Sequence, residues 1–205
     1  MAADKSKSGF SEGDEGQKAM GPSARTSSEG STREREQRIS TTREGGEAGR
    51  RSAIEENSRL ARRSIDLWNA RDFDQVASVA AENVECVSVP FNATFQGPEG
   101  YREFMQNWAT AFPDGRIEVK RVIADENGAV IEYTGRGTNT GPLTMGPTGT
   151  IPATGRRGEL ALCDVLDIER GKIRRMRSYF DSATLMRQLG VMEEGVGGKA
   201  TGGGK

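Results

Sequence analysis

The chain has 205 residues, 29% of them charged, with 29 Lys/Arg against 30 Asp/Glu, so it holds one ordinary domain and has no cationic surplus for nucleic acid. It contains no histidine and two cysteines, which excludes Ser/His/Asp and Cys/His catalysis and any His-containing metal site; two cysteines alone cannot close a zinc site. No apolar run reaches the length of a membrane span, and acid/base chemistry, if present, falls to carboxylates, Tyr, Lys or Cys.

Residues 1–52 carry 10 Lys/Arg, 9 Asp/Glu and 13 Ser/Thr, with Phe10, Met20 and Ile39 the only large apolar residues after Met1. Such a segment buries too little surface to offset its chain entropy and reads as a disordered hydrophilic tail. From Ala53, "AIEENSRLARRSIDLWNA" places Leu60, Ala61, Ser64, Ile65, Leu67 and Trp68 on one stripe of a first helix. Asp72 with Gln75 three residues later predicts a capped short helix carrying Val76, Val79 and Ala80 inward. "VECVSVP" is a strand that ends before Pro90, and "YREFMQNWATAF" a third helix with Tyr101, Phe104, Met105, Trp108 and Phe112 at helical spacing, stopped by Pro113.

The period then changes. "RIEVKRVIA" alternates Ile117, Val119, Arg121 and Ile123 on one face, "DENG" turns, and "AVIEYTGRGTNTG" follows with Glu132 and Tyr133 pointing to opposite faces. The glycines of that strand read as bends in a curved sheet, because no strand-to-helix context makes them a phosphate loop. A Gly/Pro/Thr loop leads to "ELALCDVLDI", and "ERG" turns into "KIRRMRSYF" and a last helix, capped by Asp181 and closed by Gly190. Residues 193–205 are a flexible Gly-rich tail. Cys86 and Cys163, both in predicted strands, read as reduced, buried thiols, and the cytoplasm is the expected compartment. The fold class is α+β: three N-terminal helices wrapped by a curved, mostly antiparallel sheet, with a short C-terminal helix, over residues 53–192.

The last hairpin locates the chemistry. A three-residue "ERG" loop with Gly171 in the left-handed position pairs Ile168 with Lys172 and puts Leu160, Leu162, Asp164, Leu166, Ile168, Met176, Ser178 and Phe180 on one face. Asp164 is the lone carboxylate there, so its pKa is expected to rise, which would let it donate as a neutral acid; Ser178 is its diagonal neighbour at ~7 Å. Ile173, Arg175, Arg177 and Tyr179 take the other face.

The order of elements with "AFPD", "GTNTGPL", "PATGRRGEL", "ERGKI" and "YFDSATLMRQLG" resembles the SnoaL-like polyketide cyclases of the nuclear transport factor 2-like superfamily over about residues 55–192. The resemblance implies a cone-shaped α+β barrel with an apolar pocket, dimerisation through the sheet, and cofactor-free aldol ring closure by a pocket carboxylate. The founding cyclases' catalytic aspartate falls on Ser178, a pocket histidine on Asp164 and the His of "GTHTG" on Asn139. "CDVLDIERGKIRRMRSYF" also resembles the terminal hairpin of ketosteroid isomerases, with an aspartate at position 164 as a protonated oxyanion donor, while that enzyme's tyrosine and base fall near Ser64 and Ser88. The sequence therefore nominates Asp164 and Ser178 as catalytic residues, and Trp68, Tyr101, Phe104, Trp108, Tyr133, Asn139, Leu162, Met176 and Phe180 as substrate contacts. No metal and no cofactor are called for.

Two functions stand side by side. One is a cofactor-independent cyclase or isomerase acting on a small hydrophobic carbonyl compound. The other is a non-catalytic ligand-binding or dimerisation module of the same fold, with a homodimer formed through the sheet and neither nucleic acid nor membrane as partner.

Overall fold

The computed structural model describes residues 27–192; the expectations for residues 1–26 and 193–205 lie outside them. Helix α1, Ser27–Ala70, starts well before Ala53, so residues 27–52 are helical where the composition suggested a structureless tail. Arg and Glu supply 11 of those 26 residues, and both lose little side-chain entropy in a helix. From Gly45 onward the chain forms one unit, which contains everything described below.

Asp72 accepts from the Gln75 amide at 3.3 Å and opens the four-residue α2, Phe73–Val76, as its spacing predicts. Strand β1, Ala80–Ser88, is followed by β2, Ala93–Gln96, a short strand missed by the sequence reading. Helix α3, Gly97–Ala111, starts on Gly97 and Pro98, where a proline lacks only an amide the helix would leave unpaired. Strands β3, Arg116–Ala124, and β4, Gly128–Thr138, form a hairpin closed by Asp125, whose carboxylate accepts from the Asn127 and Gly128 amides at 2.8 and 2.9 Å. A two-residue-per-strand hairpin, β5 Leu143–Thr144 and β6 Thr150–Ile151, interrupts the Gly/Pro/Thr loop. It buries Leu143, Met145 and Ile151. Strands β7, Arg157–Glu169, and β8, Lys172–Phe180, precede α4, Ser182–Leu189.

The sheet is curved, six-stranded and ordered β2-β1-β8-β7-β4-β3, with β1 and β8 its one parallel pair. Its inner face supplies Cys86, Ile131, Leu166 and Met176 to a core completed by Ala61, Ile65 and Trp68 of α1 and Tyr101, Phe104 and Met105 of α3. A second cluster joins Leu143, Ile151, Leu160, Leu185 and Leu189.

Two bulges revise the expected faces. In β3 the register shifts between Val119 and Arg121. Lys120 is the extra residue, so Ile117 and Val119 turn inward but Val122 and Ala124 follow them, leaving Ile123 52% exposed. In the last hairpin Glu169 pairs with Lys172, making a two-residue turn with positive φ at Arg170 (50°) and Gly171 (70°). A shift beyond Ile168 and Ile173 then restores the parity, so Asp164 lies directly opposite Ser178, not diagonal to it. Ile173, expected outside, is fully buried. Cys86 is buried as expected, whereas Cys163 faces the outer side and is half-exposed.

Within the curved sheet, Gly137 of β4 marks a close approach of backbone to backbone. A Cβ on Gly137 would stand 2.9 Å from the Gly115 Cα, a distance that real Cβ atoms do not tolerate against backbone, and 3.0 Å from an Asp114 carboxylate oxygen.

Candidate functional site

The site begins as a row of polar residues across an apolar sheet. Register places Ser88 beside Ser178 and Ser178 opposite Asp164, on β1, β8 and β7. All three face inward, at 2%, 2% and 3% exposure. Tyr133 arrives from β4 on the same face, its strand pairing Ile131 with Asp164. Its hydroxyl donates to Asp164 Oδ2 at 3.0 Å. The alternation that separates Glu132 from Tyr133 thus brings the tyrosine to Asp164 and leaves Glu132 exposed on the other face.

Burial pushes the Asp164 carboxyl up to about 6, with the Ser178 and Tyr133 hydroxyls pulling it part of the way back. No cation appears among its influences, so its ionisation is limited by desolvation alone. Asp164 Oδ1 has no hydrogen-bond partner. A pKa of about 6 leaves the group roughly nine-tenths ionised near pH 7, and an ionised carboxylate only accepts hydrogen bonds. The free Oδ1 suits a proton acceptor when the carboxyl is ionised and a hydrogen-bond donor when it is protonated. The same charge and burial hold Tyr133 well above the ordinary tyrosine range, so it remains a phenol.

Asp164, Ser178 and Tyr133 border a cavity of about 80 Å³. Ile65 and Trp68 of α1 form one wall, Phe104, Met105 and Trp108 of α3 another, and Leu160 and Leu162 of β7 a third, with Leu185 of α4 and Gly135 and Gly137 of β4 completing it. The Trp68 indole is fixed by donation from Nε1 to the Met105 carbonyl at 3.2 Å. Arg71 lies over the same indole at 3.9 Å and donates to the carbonyls of Trp68, Phe112, Pro113 and Gly115. That guanidinium ties the end of α1 to the "FPDG" loop, whose Phe112 and Gly115 also line the cavity.

Of the residues nominated from sequence, Asp164, Ser178, Trp68, Phe104, Trp108, Tyr133 and Leu162 converge on the cavity. Four stand outside its lining. Tyr101 and Met176 are buried in the core, and Phe180 meets Phe91 and Trp108 edge-on at 5.1 and 5.4 Å. Asn139 is a structural brace: its amide donates to the Ala111 and Gly141 carbonyls, and its oxygen accepts from the Thr154 amide and hydroxyl. With both ends of the side chain occupied, it has no bond left for a ligand. Ile65, Met105, Gly135, Leu160 and Leu185 were not nominated; nothing in their spacing separates a cavity wall from ordinary core. Asp181 caps α4, accepting from the Thr184 amide at 3.0 Å, and has no place in the site.

A shallower groove of about 570 Å³ lies on the opposite face of the sheet, lined by Arg121, Ile123, Val130, Glu132, Cys163 and Tyr179 among others. Among the described residues no group of three His, Cys, Asp or Glu side chains gathers to hold a metal, and no helix is long and apolar enough to cross a membrane.

The model of the family described as SnoaL-like polyketide cyclase matches residues 58–189. The chain belongs to that family. Solved structures agree in fold. A SnoaL-like polyketide cyclase from Agrobacterium tumefaciens is 26% identical, with 63% of this chain and 94% of that one aligned and a TM-score of 0.52. TsrD from Streptomyces laurentii is 25% identical over 69% and 98%, TM-score 0.58. AclR from Streptomyces galilaeus, a proposed hydroxylase, is 21% identical over 68% and 99%, TM-score 0.58. No functionally curated protein matches the chain. A fold carried by proteins named cyclase and hydroxylase does not select a reaction, so the reaction must be argued from the site.

Proposed function

We propose that this SnoaL-like domain binds a small apolar carbonyl compound in the cavity and removes a proton next to the carbonyl, with Asp164 as general base. The resulting enolate leads to isomerisation or aldol closure, and the proton returns from Asp164 to carbon or to the new alkoxide, so no cofactor is consumed. The observation that carries this reading is Asp164 itself, the one buried carboxylate among the described residues, with one oxygen free at an apolar cavity and its pKa pushed up by burial. The register adds support. Resemblance puts the founding cyclases' carboxylate at position 178, and Ser178 faces Asp164 directly across the strand pair, so the carboxylate is present one strand over.

The test is deuterium exchange. Wild-type protein in D2O with 2-indanone, followed by proton NMR, is expected to exchange the α-hydrogens faster than buffer, with the rate rising through about pH 6. D164N is expected to run at the buffer rate. Equal rates for the two proteins near neutrality would remove Asp164 as base.

The second reading, a binding and dimerisation module, is favoured by the outer groove. Ile123 and Tyr179, 52% and 40% exposed, sit on it, and paired sheet faces would cover both. Sedimentation of wild type against I123E separates a homodimer through the sheet from a monomer.

A further inference from the structure

The sheet floor of the Asp164 cavity has a gap in its side chains. Gly135 stands in the middle of that floor: the register sets it between Ile117 of β3 and Leu160 of β7, and Tyr133 and Gly137 flank it on the same inward face of β4. All five residues line the cavity. Gly115 and Gly158 line it too, and of these four glycines two are required by the fold. A Cβ would stand 2.7 Å from the Phe112 carbonyl oxygen at Gly115 and 2.9 Å from the Gly115 Cα at Gly137. At Gly158 a Cβ would make ordinary contacts with Phe112, Leu185 and Gln188 along the wall. Gly135 has no such neighbours. Its φ lies outside the left-handed region, and a Cβ there would meet Leu162 Cδ1 at 3.3 Å, the far end of a side chain that can turn aside. A glycine inside a strand costs chain entropy and packs nothing; where neither φ nor backbone contact demands it, it marks a place another group approaches closely.

We infer that Gly135 is a specificity-determining residue: the space its side chain would fill receives the second ring of a flat, fused-ring ketone whose reacting end sits at Asp164. This rests on the reading of the cavity as the ketone site, and it narrows the substrate class by size and shape. The polar end is the free Oδ1 of Asp164, buried and bordering the same cavity. Asp164 pairs with Ile131, and Gly135 lies four residues further along β4, about 13 Å of strand. A one-ring ketone held at Asp164 ends short of residue 135, whereas a second fused ring extends past Leu162 toward it. Trp68, Trp108 and Phe112 line the cavity as well, and aromatic walls suit a flat ring better than a branched chain.

Cyclopentanone and 2-indanone share a five-membered cyclic ketone and differ by the fused ring. With the full chain titrated by NMR, G135A is expected to keep the wild-type affinity for cyclopentanone and to bind 2-indanone about tenfold more weakly, as an added methyl does in occupied space. It is expected to melt at the same or a higher temperature than wild type, because alanine lowers the entropy of the unfolded chain. G135V is expected to widen the gap between the two ketones. An unchanged 2-indanone affinity in G135A would overturn the inference, as would a wild type that binds neither ketone. A lower Tm in G135A with both affinities reduced by the same factor would also overturn it, since that marks a glycine the fold requires. The exchange test of Asp164 is separate. A wild type without exchange activity but with a size preference that G135A abolishes would remove the base and leave this inference in place; exchange that depends on Asp164, with 2-indanone affinity equal in wild type and G135A, would do the reverse.

Discussion

Replacing Asp164 with asparagine removes a buried titration while keeping the volume of the side chain and an oxygen for the Tyr133 hydroxyl. In the native protein burial lifts the carboxyl from 3.8 to about 6; in the unfolded chain it has its ordinary value. Below about pH 4 the group is protonated in both states, and its burial carries no charge penalty. Between about pH 4 and 6 the unfolded chain gives up the proton first, so stability falls as pH rises. Above about pH 6 the native carboxyl ionises as well and the loss is complete. A gap of about 2 pH units at ~1.36 kcal/mol each is worth about 3 kcal/mol. Asparagine does not titrate, so the stability difference between D164N and wild type should swing by about that amount, with wild type gaining on acidification. Carboxylates common to both proteins, including Asp114 and Asp181, which their hydrogen bonds hold low, cancel in the difference. Urea unfolding followed by Trp68 and Trp108 fluorescence across about pH 4 to 8 measures it. A difference that stays flat, or moves the other way, would refute the claim that Asp164 is ionised at a desolvation cost.

Other substitutions probe the supports of the site. Y133F removes one of the two hydroxyls that lower the Asp164 pKa, so a carbon-13 titration should find Asp164 above its wild-type value, with a stability loss of ~1–3 kcal/mol near pH 7. G137A puts a methyl 2.9 Å from the Gly115 Cα, where only backbone can yield; a cost of ~1–3 kcal/mol is expected in thermal melts. R71K keeps the charge but cannot span four carbonyls with one ammonium, and should loosen the "FPDG" loop at a cost of ~1–3 kcal/mol. The change in Trp68 emission reports it directly, because the guanidinium lies over that indole.

Much of the fold was legible because its signals are local. The capping pair Asp72 and Gln75, the aromatic spacing of α3, and Asp181 with Gly190 around α4 each act within a few residues and appear where they were expected. What was misread depends on partners. The helix before Ala53 has no apolar stripe to announce it, and β2 is four residues long and defined by its pairing with β1. The bulge at Lys120 leaves no mark in composition, yet it moves Ile123 from the inner face to the outer one. In the terminal hairpin a loop one residue shorter than expected and an unforeseen bulge compensate, so the face of Asp164 came out right although its partner did not.

The sequence by itself determined the chemistry available to this protein. Without histidine, proton transfer was left to carboxylates, Tyr, Lys or Cys, and the last hairpin nominated Asp164, the lone carboxylate among its apolar alternations. Its strand period, its capping residues and its family resemblance are properties of nearby residues, and a linear reading reaches them. The tertiary structure alone decided that Tyr133 reaches Asp164 across 31 positions of chain, that Asn139 is consumed as a brace, and that Tyr101 is left without a partner. Those outcomes follow from desolvation and from which hydrogen bonds close in three dimensions, and neither quantity exists until the sheet and helices exclude water together.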